Sequence, residues 1–294
     1  MARKRKAEAL DEGDGKDTAK LEDVNHSVLG GMKGGYRTDG EESQDASVVS
    51  FKVPFNDKAI ICERRGGASQ QPALIFTHGA GGGIANPATK EFANGFADIS
   101  PIVCFQGTMN LQNRIKTFRS VIEHEGFDTA LGGRSMGARA AVVAATLEGS
   151  EKKALVLVSF PLVGGKKSES REQAVLDLPE GVDVLFMTGS DDAQCDLSRL
   201  RKVMTKMTAR SWLCEVDGAD HGMGWKLKRS VEVMRRKTGA IAAEWLKERD
   251  QDRRYSCVQW DEEAEDIRFE DWRSDDRAAS DQDPGRDTKK RSMD

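Results

Sequence analysis

Leu131-Gly132-Gly133-Arg134-Ser135-Met136-Gly137-Ala138-Arg139-Ala140 is the stretch that decides how this chain folds. Within it, Gly133-x-Ser135-x-Gly137 has the spacing of a serine held on a sharp turn between a strand and a helix. Such a serine sits in a strained backbone conformation. Side chains two residues to either side would collide with neighbouring backbone, so glycine is needed at both places. The flanks agree with this reading. Asp128-Thr129-Ala130-Leu131 reads as a short buried strand leading in, and residues 136–147, rich in alanine, read as a helix leading out. Glycine and serine are common, so it is the strand before and the helix after that make the pattern informative.

A serine hydroxyl is a poor nucleophile at neutral pH and needs a base within hydrogen-bond reach, with a third group to orient that base. In one large class of such strand–turn–helix serine sites the partners follow in the order serine, acid, histidine. Residues 182–188 are a strong strand candidate, and Gly189-Ser190-Asp191-Asp192 follows at once. Trp212-Leu213-Cys214-Glu215-Val216 is the next strand, followed by Asp217-Gly218-Ala219-Asp220-His221-Gly222. The chain has four histidines, and only His221 lies downstream of Ser135. Asp192 is the preferred acid, because the acid usually stands about three residues beyond the glycine that ends its strand. Asp191 is the rival, and either aspartate could instead cap a helix starting near Gln194. Asp220 is weaker, since adjacent side chains point apart.

The fourth requirement is a pair of N–H donors for the oxyanion. One should be Met136, the residue after the serine; the other should come from the loop after an earlier strand. Ala73-Leu74-Ile75-Phe76-Thr77 is that strand and His78-Gly79-Ala80-Gly81-Gly82-Gly83 the loop, with Ala80 as the second donor. His78 reads as structural, bracing the loop. Nucleotide binding is disfavoured. No Gly-Lys-Ser/Thr ends the loop, and Ile84 stands where a dinucleotide fingerprint starting at Gly79 wants a small residue. The sequence thus points to no cofactor, and histidines and cysteines do not cluster at metal-ligand spacing.

The middle of the chain alternates strand and helix. Short, almost wholly apolar strands separated by amphipathic helices imply an α/β fold, a mostly parallel sheet with helices on both faces. Ligands bind such sheets at the carboxyl ends of the strands, where all four elements fall. The connection over residues 161–181 is too short for a large lid domain, so the pocket should be open and shallow. Met109, Phe160, Leu162 and Met223 are candidate wall residues, or else ordinary core.

At 294 residues, 38% hydrophobic and 32% charged, the chain can bury one good core but is unusually polar. Residues 1–46 read as a disordered arm and residues 47–249 as the α/β domain. Residues 250–294 read as a mostly disordered charged tail, with Tyr255, Trp260, Phe269 and Trp272 able to dock part of it. A net charge of −4 does not suit a dedicated nucleic-acid binder. No apolar run is long enough to cross a bilayer, and none follows Arg3-Lys4-Arg5-Lys6 as a secretory signal requires. Five cysteines without a C-x-x-C pair suit buried thiols in a reducing compartment, the cytoplasm. The basic cluster at Arg3 is either a solvated charge run or of the kind that nuclear import uses.

Phe105-Gln106-Gly107, Asn113-Arg114-Ile115-Lys116, Gly132-Gly133-Arg134-Ser135-Met136-Gly137-Ala138-Arg139, Phe160-Pro161-Leu162 and Leu185-Phe186-x-x-Gly189 occur together here. In these the chain resembles the small α/β-hydrolase domain shared by testis-expressed hydrolase-like proteins and the third regulatory subunit of the NSL histone-acetyltransferase complex. More distantly it is similar to the dienelactone-hydrolase group. The resemblance covers residues 73–243. It implies an α/β-hydrolase fold with Ser135, Asp192 and His221 at the triad positions. The family includes both enzymes and complex subunits. Two expectations follow: a serine hydrolase of small carboxylic or thio esters, or a non-catalytic subunit of a nuclear assembly with a protein partner on its charged tails. A peptidase usually needs a gating domain for which this chain has no room.

Overall fold

The computed structural model describes residues 48–67, 70–126, 130–147, 154–164 and 169–274. The expected arm of residues 1–46 and the last twenty residues of the expected tail lie outside these. Strands β1 (Val49–Phe55), β2 (Lys58–Arg65), β3 (Leu74–Thr77), β4 (Ile102–Phe105), β5 (Ala130–Arg134), β6 (Ala154–Val158), β7 (Asp183–Gly189), β8 (Arg210–Val216), β9 (Tyr255–Asp261) and β10 (Asp266–Arg273) form one sheet. Its order is β1-β2-β4-β3-β5-β6-β7-β8-β9-β10. Pairing is parallel from β4 through β9, and antiparallel at β1–β2, β2–β4 and β9–β10.

Helices α1 (Pro87–Ala97), α2 (Leu111–Glu125), α3 (Met136–Ala145), α4 (Gln173–Leu176), α5 (Leu197–Met204) and α6 (Val231–Lys247) cover the sheet. Strands β3, β4, β6 and β7 are buried at every residue, as parallel strands covered on both faces must be. The two-residue period of a strand then divides their side chains between two cores. Ile75, Leu131, Leu155, Leu157, Val184 and Phe186 share one core with Phe118 of α2 and Leu200 of α5. Leu74, Phe76, Val156, Leu185, Met187 and Trp212 share the other with Phe92 of α1 and Trp245 of α6. Each large apolar side chain buried in this way stabilises the fold by roughly 1.5–3 kcal/mol.

Local signals set the helix ends. Asn86 caps α1, its side chain accepting from the Ala88 N–H, and Pro87 occupies the first turn. Asn110 caps α2 through the Asn113 N–H, and Gly126 closes it at φ +59°. The helix after β7 starts at Leu197, not near Gln194, and its cap is Asp196, which accepts from the Arg199 N–H. Neither Asp191 nor Asp192 is therefore spent on that helix terminus.

The main correction concerns the tail. Residues 255–273 are β9 and β10, and β9 pairs in parallel with β8, Cys214 opposite Ser256 and Val216 opposite Val258. Charged residues on one face of this hairpin mask the apolar ones on the other. Trp260, Ile267, Phe269 and Trp272 pack against the core that holds Trp212 and Trp245. A window average reads such a strand as polar, whereas the alternation reads as half-buried.

Helices α1 and α6 cross at contact distance. A β-carbon on Gly239 would come 2.0 Å from the Phe92 carbonyl oxygen, and one on Gly95 1.8 Å from that of Arg236. Both obstacles are backbone, so no side chain can swing aside. Gly239→Ala is expected to destabilise the domain by about 1–3 kcal/mol through forced separation of the two helices. Urea unfolding measures it; an unchanged midpoint would contradict the crossing.

Candidate active site

Ser135 lies between β5 and α3 at φ +52° and ψ −109°, a conformation that costs a non-glycine residue on the order of 1–3 kcal/mol. The surroundings explain how it is held. A β-carbon on Gly133 would meet the Gly137 carbonyl carbon at 2.3 Å, and one on Gly137 would meet the Thr77 carbonyl oxygen at 2.4 Å. The two glycines thus let the turn close on itself and let α3 press against the end of β3. The Ser135 N–H donates to the Val158 carbonyl at 2.9 Å, and its own carbonyl accepts from the Arg139 N–H at 3.1 Å.

Ser135, His221 and Asp192 form one hydrogen-bonded chain. The Ser135 hydroxyl is 2.9 Å from His221 Nε2, and His221 Nδ1 is 2.9 and 3.0 Å from the two Asp192 carboxylate oxygens. With its proton on Nδ1, the ring donates to Asp192 and accepts from Ser135. The Asp192 side chain is fully buried, and its Oδ1 also accepts from the Gln194 N–H at 2.8 Å. Asp191 is 52% exposed and faces Lys226 at 3.9 Å, so it takes no part. Asp220 instead shapes the histidine loop, its Oδ1 accepting from the Gly222 and Gly224 N–H groups at 2.7 and 2.8 Å.

Backbone contacts join the acid and histidine loops. The Asp191 N–H donates to the Ala219 carbonyl at 3.0 Å, the Ser190 N–H to Val216 at 3.1 Å, and the Gly218 N–H to Ser190 Oγ at 2.7 Å. Gly189 allows this closeness, because a β-carbon there would lie 2.0 Å from the Ala219 oxygen.

The loop after β3 lies beside the serine. The β-carbon position of Gly79 is 3.5 Å from Ser135 Cβ, and Gly81, Gly82 and Gly83 all have positive φ. Ala80 is exposed on this loop, and Met136 is the first residue of α3, whose N–H helix geometry leaves without an intrahelical acceptor. His78 is buried beneath the loop. It donates from Nδ1 to the Gly79 carbonyl at 2.7 Å and accepts the Gly107 N–H on Nε2 at 2.9 Å. Burial first, and the Arg114 charge second, push its pKa down to about 4.

Sequence reasoning assigned no role to three arginines. Arg114, wholly buried on α2, donates to the carbonyls of His78, Gly79 and Thr108. Arg134, beside the serine, donates to the His221 carbonyl at 2.9 Å. Arg235 of α6 donates to the Met223 carbonyl at 2.8 Å. A buried arginine bonded to carbonyls leaves no spacing signature; the recurring Asn113-Arg114 and Gly133-Arg134 pairs were the only hint. Among the described residues five non-glycine residues have positive φ. Ser135, Ser159 and Met223 lie at this edge of the sheet, and Asn56 and Glu265 lie in hairpin turns.

Of the candidate wall residues, Phe160, Leu162 and Met223 are buried core, while Met109 is 61% exposed with its sulfur over the Gly81 N–H. The described part of the β6–β7 connection holds only the Val163–Ser170 bridge and α4. All five cysteines are buried free thiols, with burial raising the pKa of four of them to about 12. Among the described residues no group of acidic, histidine and cysteine side chains could hold a metal, and no helix is long and apolar enough to cross a membrane.

Residues 108–247 match the family described as an alpha/beta hydrolase domain. Solved structures of the same fold include Est1E from Butyrivibrio proteoclasticus, with a TM-score of 0.53 at 13% identity over 68% of this chain and 99% of that one. An esterase from Pyrobaculum calidifontis gives 0.54 at 15% identity, over 68% and 84% of the two chains. A dienelactone hydrolase from Anabaena variabilis gives 0.53 at 14%, over 69% and 98%. The chain has the α/β-hydrolase fold.

The His78 environment makes a pH prediction. Folding lowers the ring's pKa from 6.5 to about 4, so between these values the unfolded chain binds the extra proton. The neutral ring's contribution is complete above pH 6.5 and is lost as pH falls toward 4. Between pH 7.5 and 4.5 the wild type should lose on the order of 2 kcal/mol more stability than His78→Asn. Parallel urea titrations at the two pH values test this, and equal losses would mean an ordinary histidine.

Proposed function

We propose that this chain is a serine hydrolase acting on small carboxylic or thio esters. The observation that carries the reading is the unbroken chain from the Ser135 hydroxyl through His221 to a buried Asp192. A structural role needs neither a hydroxyl on a strained turn nor an imidazole set against it. The esterase and dienelactone-hydrolase names of the fold neighbours agree with this class of substrate.

In the proposed reaction Ser135 Oγ bonds to the acyl carbon while its proton passes to His221 Nε2. The carbonyl oxygen takes up the negative charge, facing the N–H groups of Met136 and Ala80. Collapse of this intermediate breaks the bond to the leaving oxygen or sulfur, which receives the proton from Nε2. Water, deprotonated by the same nitrogen, then attacks the acyl-serine, and the acid leaves with Ser135 restored. Asp192 keeps the Nδ1–H tautomer and stabilises the imidazolium in both halves. The short β6–β7 connection supports an open site and small or protruding acyl groups.

A fluorophosphonate probe should label the wild type and leave Ser135→Ala unlabelled; labelling that survives the substitution would reject Ser135 as nucleophile. Asp192→Asn should retain the fold and lower kcat for p-nitrophenyl acetate by about 10³–10⁴-fold, through the wrong tautomer. A wild type that turns over no ester and takes no probe, but co-purifies with stable partners, would favour the subunit alternative.

A further inference from the structure

We infer that Arg114 and His78 contribute to the reaction from behind the oxyanion loop, by polarising the Gly79–Ala80 peptide so that its N–H becomes a stronger donor. This rests on the hydrolase reading above and on Ala80 as an oxyanion donor. The Gly79 carbonyl accepts two hydrogen bonds, from His78 Nδ1 at 2.7 Å and from Arg114 Nη1 at 3.2 Å. That carbonyl and the Ala80 N–H are opposite ends of one resonance-coupled amide. Hydrogen bonds to the oxygen draw electrons through the C–N bond and leave the N–H more positive. Each such bond strengthens the next in the series, by about 10–30% in low-dielectric surroundings.

The arrangement is costly for a mere tether. Arg114 is completely buried, and its partners among the described residues are carbonyl oxygens: Thr108 at 2.9 Å, Gly79, and His78 in a short contact. Among the described residues no carboxylate pairs with it, and its Nη2 has no hydrogen-bond partner. Neutral donors could tie these carbonyls without desolvating a charge. The guanidinium's pKa, lowered by burial to about 10, still leaves it charged at neutral pH. Its positive charge acts on the loop, where it helps to lower the His78 pKa. Gly107 makes the space, since a β-carbon there would sit 2.5 Å from Arg114 Nε, and the Gly107 N–H fixes the His78 tautomer. His78, Gly79, Gly107 and Arg114 thus form one buried unit that includes the Gly79–Ala80 peptide group.

The test compares full-length wild type with Arg114→Gln, which keeps a donor but not the charge, and Arg114→Lys, which keeps the charge. Expected for Arg114→Gln is a kcat for p-nitrophenyl acetate lowered about 10- to 100-fold with KM within about twofold. Inhibition by a trifluoromethyl ketone, whose serine adduct carries the oxyanion, should weaken in the same proportion, and Arg114→Lys should recover most of both. Independently of turnover, the Ala80 amide proton and nitrogen resonances of Ser135→Ala should move upfield when Arg114→Gln is added. His78→Asn should move them in the same direction, which keeps the test alive if Arg114→Gln does not fold. An unmoved Ala80 amide, or equal losses in the Gln and Lys variants, would overturn the inference. A wild type inert to esters and fluorophosphonate would instead remove the hydrolase reading, with the Ala80 resonances still deciding whether the peptide is polarised.

Discussion

Two bare α-carbons decide where Ser135 stands. Hydrogen at Gly133 and Gly137 lets the backbone double back within van der Waals contact, and any larger group would strike carbonyl atoms at 2.3–2.4 Å. From that closure follow the strained φ of the serine and the seating of α3 against the end of β3. The seating also brings the loop after β3 alongside the serine. The chain runs from β3 outward to β4 and then back to β5 on the other side of β3, so this is a point where strand order reverses. Crevices open at such reversals, outside the carboxyl ends of parallel strands.

The histidine reaches the serine because its loop is fixed from several directions. Backbone bonds tie it to the acid loop, Asp220 folds it internally, and Arg134 and Arg235 hold its carbonyls from a strand end and a helix. Each bond is worth only about 1 kcal/mol net. Their joint effect is to restrict the position of the ring rather than to add stability. The proposed relay, with its 2.9 Å separations, benefits from that restriction, since small misplacements are expensive in rate.

Much of this was legible in the sequence, for identifiable reasons. The glycine–serine spacing, the run of apolar strands and the order of Ser135, Asp192 and His221 all have short-range or ordered signatures. The choice between Asp191 and Asp192 turned on one residue, and the three-residue offset from Gly189 favoured the residue that the structure places against His221. What the sequence hid were contacts between distant segments. Nothing local marks Arg114 as buried, and Trp260, Ile267, Phe269 and Trp272 sit among so many charges that their shared face emerges only when β9 pairs with β8. The assumed helix start near Gln194 failed similarly, because Asp196 is the better placed cap.

The three arginines show how charge is distributed around the site. Arg134 and Arg235 lie close enough to Asp220 for its carboxylate to offset part of their charge, and Asp192 acts on Arg134 as well. Arg114 has no such neighbour among its contacts and sits under the opposite wall, behind the oxyanion loop. The carboxylates therefore stand on the histidine side, where Asp192 meets the imidazole that the proposed reaction makes positive. Uncompensated positive charge lies on the loop side, where the proposed reaction places an oxyanion. A proton moving from Ser135 to His221 would separate charge along this gradient, with the field of the folded protein oriented before any substrate arrives.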